Sequence, residues 1–353
     1  MRSALLFIAC ALSLSVLVVM LTLGICGLFQ RRRRRRAPLI GQAREQLLRL
    51  LADPSADPDG VEGSRPAVEL HGLSVAEVRA LVIETGSSLG GGSTVRLRRV
   101  AESAGVLRRA RRDLGSRRWH RRLRAGRVLS LLDDATGATE MLLRDAHPAV
   151  RALAAGWIGA TRPSAAHALL DLVGDPDGLV RFAAQDALIR VGHGIGPLVA
   201  ARLASGDDLV VEGLLEIAAH IPEPLPSDVV VGLVDHPSAE VRARSARVLA
   251  GMPGTQGRAA LERLLDDVDP KVRQAAAAAL ADPSRWATGP LLAALLDDPE
   301  PAVRNQAGVT LLELGAPGVL LLRDVARTDG GRARQVASRA LDFYDRDLDV
   351  VTS

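Results

Sequence analysis

The chain has 353 residues and a formal net charge of +4, and only 2% of its residues are aromatic although 48% are hydrophobic. Most of the apolar mass is therefore Ala, Leu and Val. Ala and Leu are strong helix formers, whereas large sheets usually draw on more aromatic and β-branched residues. Both cysteines, Cys10 and Cys26, fall in the apolar N-terminal run, which excludes a disulfide framework, a cysteine metal site and a thiol nucleophile from the rest of the chain.

The N-terminal segment has the pattern of a transmembrane helix. Residues 4–29 carry no charge, and six arginines, Arg31 to Arg36, follow at once. A bilayer core needs about 20 apolar residues as a helix, and a cleaved signal peptide would have a shorter apolar core of about 7–15 residues. We therefore predict an uncleaved anchor at 1–30. Because arginine-rich flanks stay inside, this predicts a single-pass protein of the cell (inner) membrane with a cytoplasmic domain, and Arg31 to Arg36 would attract anionic lipid.

Residues 31–66 are interpreted as a basic juxtamembrane segment, a short amphipathic helix within 41–52 and a Pro-, Gly- and acid-rich linker. A helical cap follows over 67–117. Ser74 and Glu77 have the spacing of a capping box, which predicts that a helix begins there. The Gly/Ser segment at 86–93 lacks the lysine and the spacing of a phosphate-binding loop, so a plain loop is expected.

The strongest signal is an internal repeat whose copies follow the pattern D-x-x-P-x-V-R. Its arginines are separated by 30, 61, 31 and 31 residues, and the gap of 61 spans two units, of which the degenerate one has Glu212 at the arginine position. The five copies end at Arg151, Arg181, Arg242, Arg273 and Arg304. Weaker copies at Arg122 and Arg334 extend the array to 118–345 and leave a tail at 346–353.

Each unit is predicted to be a helix pair. An apolar first helix leads to an Asp-x-Pro turn, where Pro suits the first turn of a helix and Asp accepts from its free amides. A small-residue second helix follows, as at 272–280. No pair can bury its own apolar face, so the units must stack.

These motifs resemble the HEAT-like repeat family, in the short bacterial form first named from phycobilisome lyase subunits, and the resemblance covers about two thirds of the chain. It implies an all-α fold: a right-handed α-solenoid of stacked antiparallel helix pairs, here preceded by one transmembrane helix. It also implies that the repeat arginines pair with turn aspartates along the stack. The expected ladder comprises Arg122, Arg151, Arg181, Arg242, Arg273, Arg304, Asp145, Asp175, Asp267 and Asp298. A preference for Arg, since Lys271 is the only lysine, agrees with a GC-rich bacterial origin.

No catalytic signature is present in the sequence, and we expect no catalytic residue, cofactor or metal. His147 and His236 precede prolines in repeat turns, and His193 lies between glycines. None of them forms HExxH or the His-Glu pair of HEAT-like metal hydroxylases, so turn or surface roles are expected. The paired carboxylates recur at the repeat turns, which favours helix capping over acid–base chemistry.

The stretch from Arg96 to Arg127 is strongly basic, with thirteen arginines against Glu102 and Asp113. Three interpretations stay open: a solvated first repeat paired to acidic turns, contact with an anionic membrane surface or acidic partner, and nucleic-acid binding. The last has only Trp119 nearby for base stacking. The candidate contact surface comprises Arg108, Arg109, Arg111, Arg112, Arg117 and Arg118.

The predicted function is that of a non-enzymatic scaffold that binds membrane-associated protein partners, for example a membrane-bound enzyme complex. Alternatives are a HEAT-like lyase or cofactor chaperone, and nucleic-acid binding through the basic stretch. Positions of the second helices that could face a binding groove are Phe182, Asp186, Arg247, Gln274 and Asn305.

Overall fold

The computed structural model describes residues 37–52, 72–86, 92–134, 138–161, 166–204, 206–252, 254–328 and 330–352. Within these ranges all regular structure is helical and there is no strand, which confirms the predicted all-α class. The chain divides into two compact units, unit 1 over Met1–Leu142 and unit 2 over Leu143–Ser353. A short helix, α6 at Ala138–Leu143, lies at the division.

The described residues of unit 1 form five further helices. They are α1 at 37–52, α2 at Val75–Gly86, α3 at Gly92–Ser103, α4 at Val106–Leu114 and α5 at Trp119–Leu131. Their apolar faces form one core, in which Val82, Leu107 and Leu129 are almost completely buried. The end of α1 is tied to α3, because Arg96 Nη2 donates to the Leu51 carbonyl at 2.8 Å.

The predicted capping box at the start of α2 is confirmed. The Ser74 amide donates to Glu77 Oε2 at 2.7 Å, and the Glu77 amide reaches Ser74 Oγ at 3.4 Å. The Ser74 amide, which has no partner within the helix, is thereby satisfied, and the Glu77 amide also donates to the Ser74 carbonyl at 2.9 Å. α2 therefore begins where the sequence predicts.

Unit 2 alternates short first helices with longer second helices. The first helices are α8 at Ala166–Leu170, α10 at Gly196–Leu203, α12 at Ser227–Val231, α14 at Thr255–Leu264, α16 at Gly289–Ala294 and α18 at Ala316–Thr328. The second helices are α7 at Pro148–Thr161, α9 at Gly178–Val191, α11 at Asp208–Ala218, α13 at Ala239–Ala250, α15 at Pro270–Ala279, α17 at Pro301–Glu313 and α19 at Gly331–Thr352. Short 3-10 turns at Gly232–Asp235, Pro283–Thr288 and Leu295–Asp297 lie beside the first helices.

Each second helix packs against the next one along the chain, which gives a second-helix layer running from α7 to α19. The first helices α8 to α16 each pack on the second helix that follows them. The valine immediately before each repeat arginine is fully buried at Val150, Val180, Val241, Val272 and Val303. The valine of the repeat pattern therefore marks one buried core position in each unit. The stacking of the helices agrees with an α-solenoid.

The predicted membrane location is wrong for this chain. Among the residues that the structure describes, no helix combines the length and the apolar character needed to cross a membrane. The anchor predicted at 1–30 and Arg31 to Arg36 lie outside the described residues. We therefore withdraw the assignment as a single-pass protein of the inner membrane with a cytoplasmic repeat domain.

Candidate functional site

An Arg–Asp ladder connects neighbouring turns of unit 2. Arg151 Nε and Nη2 both donate to the Asp175 carboxylate at 2.8 Å, and Arg151 Nη1 donates to the Asp145 carbonyl, also at 2.8 Å. The Arg and Asp side chains are only 14% and 6% exposed. One guanidinium therefore joins its own turn to the turn of the next unit. The same two-pronged contact recurs between Arg242 and Asp267 and between Arg273 and Asp298.

The aspartates of the ladder also shape their own turns. Asp175 Oδ1 accepts from the Asp177 amide at 2.9 Å, and Asp177 in turn caps α9 by accepting from the Leu179 amide at 2.9 Å. Asp145, Asp267 and Asp298 accept in the same way from the amides two residues on. Each ladder carboxylate therefore stabilises its own turn. Where an arginine of the preceding unit binds it, the carboxylate also stabilises the contact between the two units.

The ladder is interrupted in the middle of unit 2. Arg181 and Arg304 donate to carbonyl groups of their own turns, Arg181 at 2.8 Å to Asp175 and Arg304 at 2.6 Å to Asp298. Neither has a carboxylate partner within the described part of the chain.

In the degenerate unit, Glu212 stands where an arginine would be. Here Arg244 and Arg247 of α13 donate instead to Glu216 Oε2 of α11, at 2.9 and 3.1 Å. In unit 1, Arg122 Nη1 donates to the Ser116 carbonyl at 2.8 Å.

The ladder lowers the pKa values of its carboxyl groups. Burial alone would raise the pKa of Asp175 and Asp298, but their bonds from arginine and from the backbone outweigh it, so both values lie below the ordinary 3.8. For Asp267 the hydrogen bond from Arg242 is the largest influence, and its pKa is lowered too.

These shifts predict an acid-labile contribution to stability. A carboxyl group with a lowered pKa in the fold contributes stability that is complete above its ordinary value and is lost as the pH falls through the lower one. We expect the urea midpoint of unfolding to fall as the pH drops from about 5 to below 3.8. We also expect Asp267→Asn to flatten this dependence. Circular dichroism during urea titrations at pH 7, 5 and 3 measures it, and equal slopes for the two proteins would contradict the prediction.

Two of the histidines take part in turn geometry. His147 Nδ1 accepts from the Ala149 amide at 3.3 Å, and His236 Nδ1 accepts from the Ser238 amide at 3.2 Å. Both rings thereby stand in for the carboxylate that serves in other turns. No group of three or more His, Cys, Asp or Glu side chains is arranged to hold a metal ion within the described ranges.

A basic cleft of about 640 Å³ lies in unit 1 between the start of α2, the helix α4 and the first half of α5. We call it the arginine cleft, because six arginines line it: Arg79, Arg108, Arg109, Arg112, Arg121 and Arg124. Ser74, Val75, Ala76, Ala104, Gly105 and Asp113 complete the wall. Sequence reasoning missed Arg79, which α2 contributes from a distant part of the chain.

The predicted basic surface is divided by the fold. Arg108, Arg109 and Arg112 line the arginine cleft, whereas Arg111 Nε donates to Asp134 Oδ2 at 2.9 Å. The Asp134 side chain is fully buried and also accepts from Arg98 at 3.3 Å, so Arg111 belongs to an ion-pair cluster around this carboxylate. The last two predicted residues, Arg117 and Arg118, lie exposed in the turn before α5, outside the cleft.

The predicted groove positions lie on the second-helix layer. Phe182 is 68% exposed, and Arg247 and Asn305 are also exposed. Gln274 and Asp186 are half-buried. Leu179, one turn before Phe182 on α9, is 57% exposed. Two large apolar side chains therefore face outward together on α9.

Stacked helix pairs joined through repeated turns define an all-helical repeat protein. A family model described as HEAT repeats matches residues 135–220, 226–285 and 259–342, which together make up more than half of the chain. The chain therefore belongs to the HEAT-repeat family.

Solved structures match this chain, whereas no curated protein matches it. The Escherichia coli protein YibA is 16% identical over 74% of this chain and 94% of its own, with a TM-score of 0.43. Human deoxyhypusine hydroxylase in complex with glycerol is 19% identical over 68% and 96%, with a TM-score of 0.29. Kap121p bound to Pho4p is 14% identical over 85% of this chain and 39% of its own, with a TM-score of 0.48.

Proposed function

We propose that this chain is a non-enzymatic scaffold that binds a protein partner on the second-helix layer of unit 2. Membership of the HEAT-repeat family supports a scaffold role, because stacked helical repeats offer extended surfaces for binding. The observation that carries the proposal is the pair of outward apolar side chains on α9, Leu179 and Phe182.

The surroundings of Phe182 suit a binding surface. The neighbouring helix α7 has Ala152 at the equivalent position, and the space above Gly156 is open. An aromatic side chain beside these small residues provides apolar contact area for a partner. Aromatic residues are also enriched in protein interfaces. The whole chain has only four phenylalanines. Two of them are exposed, Phe182 on α9 and Phe343 on α19, and Phe182 is the one that lies one turn from the exposed Leu179.

The proposal predicts that Phe182 contacts the partner directly. With a photo-crosslinking amino acid at position 182 of the full-length chain, we expect one discrete adduct in cells of the source organism. Once the adduct is identified, Phe182→Ala should weaken binding of the purified partner at least tenfold, a cost of about 1.4 kcal/mol. Fluorescence anisotropy measures this loss.

Leu320 provides the matched control. It is 65% exposed, but it lies on α18, a first helix. A crosslinker there should give no such adduct, and Leu320→Ala should leave the affinity unchanged. If positions 182 and 320 gave the same adducts, or if Phe182→Ala bound the partner normally, the second-helix layer would not be the binding surface.

A further inference from the structure

The arginine cleft has a large excess of positive charge. Its only carboxylate is Asp113, which lies 3.3 Å from Arg109 Nε and is engaged by it. Within the described residues, no carboxylate pairs with Arg79, Arg108, Arg112 or Arg121. Arg98 and Arg111, by contrast, both pair with Asp134. Four arginines without a carboxylate partner among the described residues therefore line one concave surface.

The arginines of the cleft come from three helices. Arg79 lies on α2, Arg108 and Arg112 lie one turn apart on α4, and Arg121 and Arg124 lie on α5. Guanidinium groups on several rigid elements can surround a compact anion, and their planar forks match the oxygens of a phosphate group. α4 also begins without a side-chain cap, since Gly105 precedes it and lies in the cleft wall. This adds a weak preference for negative charge at that end.

The residues that line the cleft do not suit nucleic-acid bases or peptide amides. They include no aromatic side chain, and stacking on aromatic residues is the usual means by which proteins hold bases of single-stranded nucleic acid. Their polar side chains are almost all donors. The amide groups of an acidic peptide would therefore find few of the acceptors that buried N–H groups require. A ligand that only accepts hydrogen bonds and carries several negative charges fits these walls.

We propose that the arginine cleft binds a linear oligophosphate, either free or as the phosphate chain of a nucleotide. The volume of about 640 Å³ lies within the range of ligand pockets and exceeds what one phosphate group requires. Successive phosphates pair with the arginines of α4 and α5, and Arg79 closes the side formed by α2. The site is separate from the second-helix layer and does not depend on the proposed scaffold role.

Calorimetric titration of the full-length chain with sodium tripolyphosphate tests the proposal. We expect saturable binding at least tenfold tighter than that of inorganic phosphate, with an affinity that falls steeply as salt is raised. ATP tests the source of the phosphates: an affinity equal to that of tripolyphosphate shows that the phosphate chain alone is recognised, and a tighter affinity shows that the site takes the chain as part of a nucleotide. Tighter binding of a single-stranded RNA or of an aspartate-rich peptide than of tripolyphosphate would overturn the proposal.

A charge-matched pair of variants locates the site. Arg108→Gln with Arg112→Gln should weaken tripolyphosphate binding at least tenfold, and Arg117→Gln with Arg127→Gln, which removes the same charge outside the cleft, should change it less than twofold. All four side chains are exposed, so both variants should melt at the wild-type temperature. Arg108→Lys with Arg112→Lys keeps the charge but removes the planar guanidinium groups, so it should give an intermediate affinity for tripolyphosphate. If both Gln variants lost the same affinity for tripolyphosphate, net charge alone would explain the binding and the assignment to the cleft would be overturned.

Discussion

Replacing Asp298 with alanine is expected to lower the free energy of unfolding by about 3–5 kcal/mol, because removal of one partner leaves a buried charge uncompensated. Asp298 is 8% exposed and accepts from Arg273 at 2.7 and 2.9 Å and from the Glu300 amide at 2.8 Å. The substitution therefore loses both the contact between units and the bond that shapes the turn. Urea unfolding followed by circular dichroism measures the change.

Asp235 is the control for this prediction. It pairs with Arg263, but the two side chains are 69% and 60% exposed. Exposed pairs contribute about 0–1 kcal/mol, so Asp235→Ala should shift the unfolding curve only slightly. A similar loss from the two substitutions would show that the ladder has no special role in stability.

Two glycines of α7 should respond in opposite directions when they are changed to alanine. At Gly159 an added methyl group would lie 2.5 Å from Ala187 Cβ and 2.8 Å from Ala187 Cα. Because these atoms belong to the backbone region of α9, the two helices would have to separate, at a cost of about 1–3 kcal/mol or more. At Gly156 no atom lies within 4 Å, so the better helix propensity of Ala should stabilise the protein by about 0.5–1 kcal/mol.

Thermal melts of Gly156→Ala and Gly159→Ala check both signs. The two positions lie one turn apart on the same helix, so any effect common to α7 cancels in the comparison. Destabilisation by both substitutions to the same extent would mean that the close approach of α7 and α9 does not limit the residue at 159.

The helical class and the stacking were predictable because each repeat places the same residue types at the same depth. The valine before each repeat arginine is buried in every clear copy, and a periodic core of this kind is visible in the sequence. The pairing of the ladder was only partly predictable. Arg151 and Asp175 are 24 residues apart, and the partner that an arginine reaches depends on how adjacent turns are aligned. That Arg181 has no carboxylate partner among the described residues became visible only in the structure.

The candidate site was less predictable than the fold. Four arginines of α4 look equivalent in the sequence, yet successive positions of a helix point about 100° apart. Arg108 and Arg112 therefore line the cleft, while Arg111 faces the buried Asp134. Arg79 joins them through the packing of α2 on α4 and α5, which local patterns do not specify. The membrane location was predicted from residues 1–36, which the structure does not describe. It was wrong, because no described helix is long and apolar enough to cross a membrane.

The interruption of the ladder around α11 has a consequence for how unit 2 opens. In a linear array, neighbour coupling determines which segments exchange their amides together. Arg151 strengthens the coupling of α7 to α9, and Arg242 and Arg273 strengthen that of α13 through α17. Among the described residues, no such bond joins α9 to α11. Because Arg244 and Arg247 bind Glu216 of α11 from α13, we expect two cooperative blocks that meet between α9 and α11. The amides of α9 should then exchange with deuterium independently of those of α13 and α15.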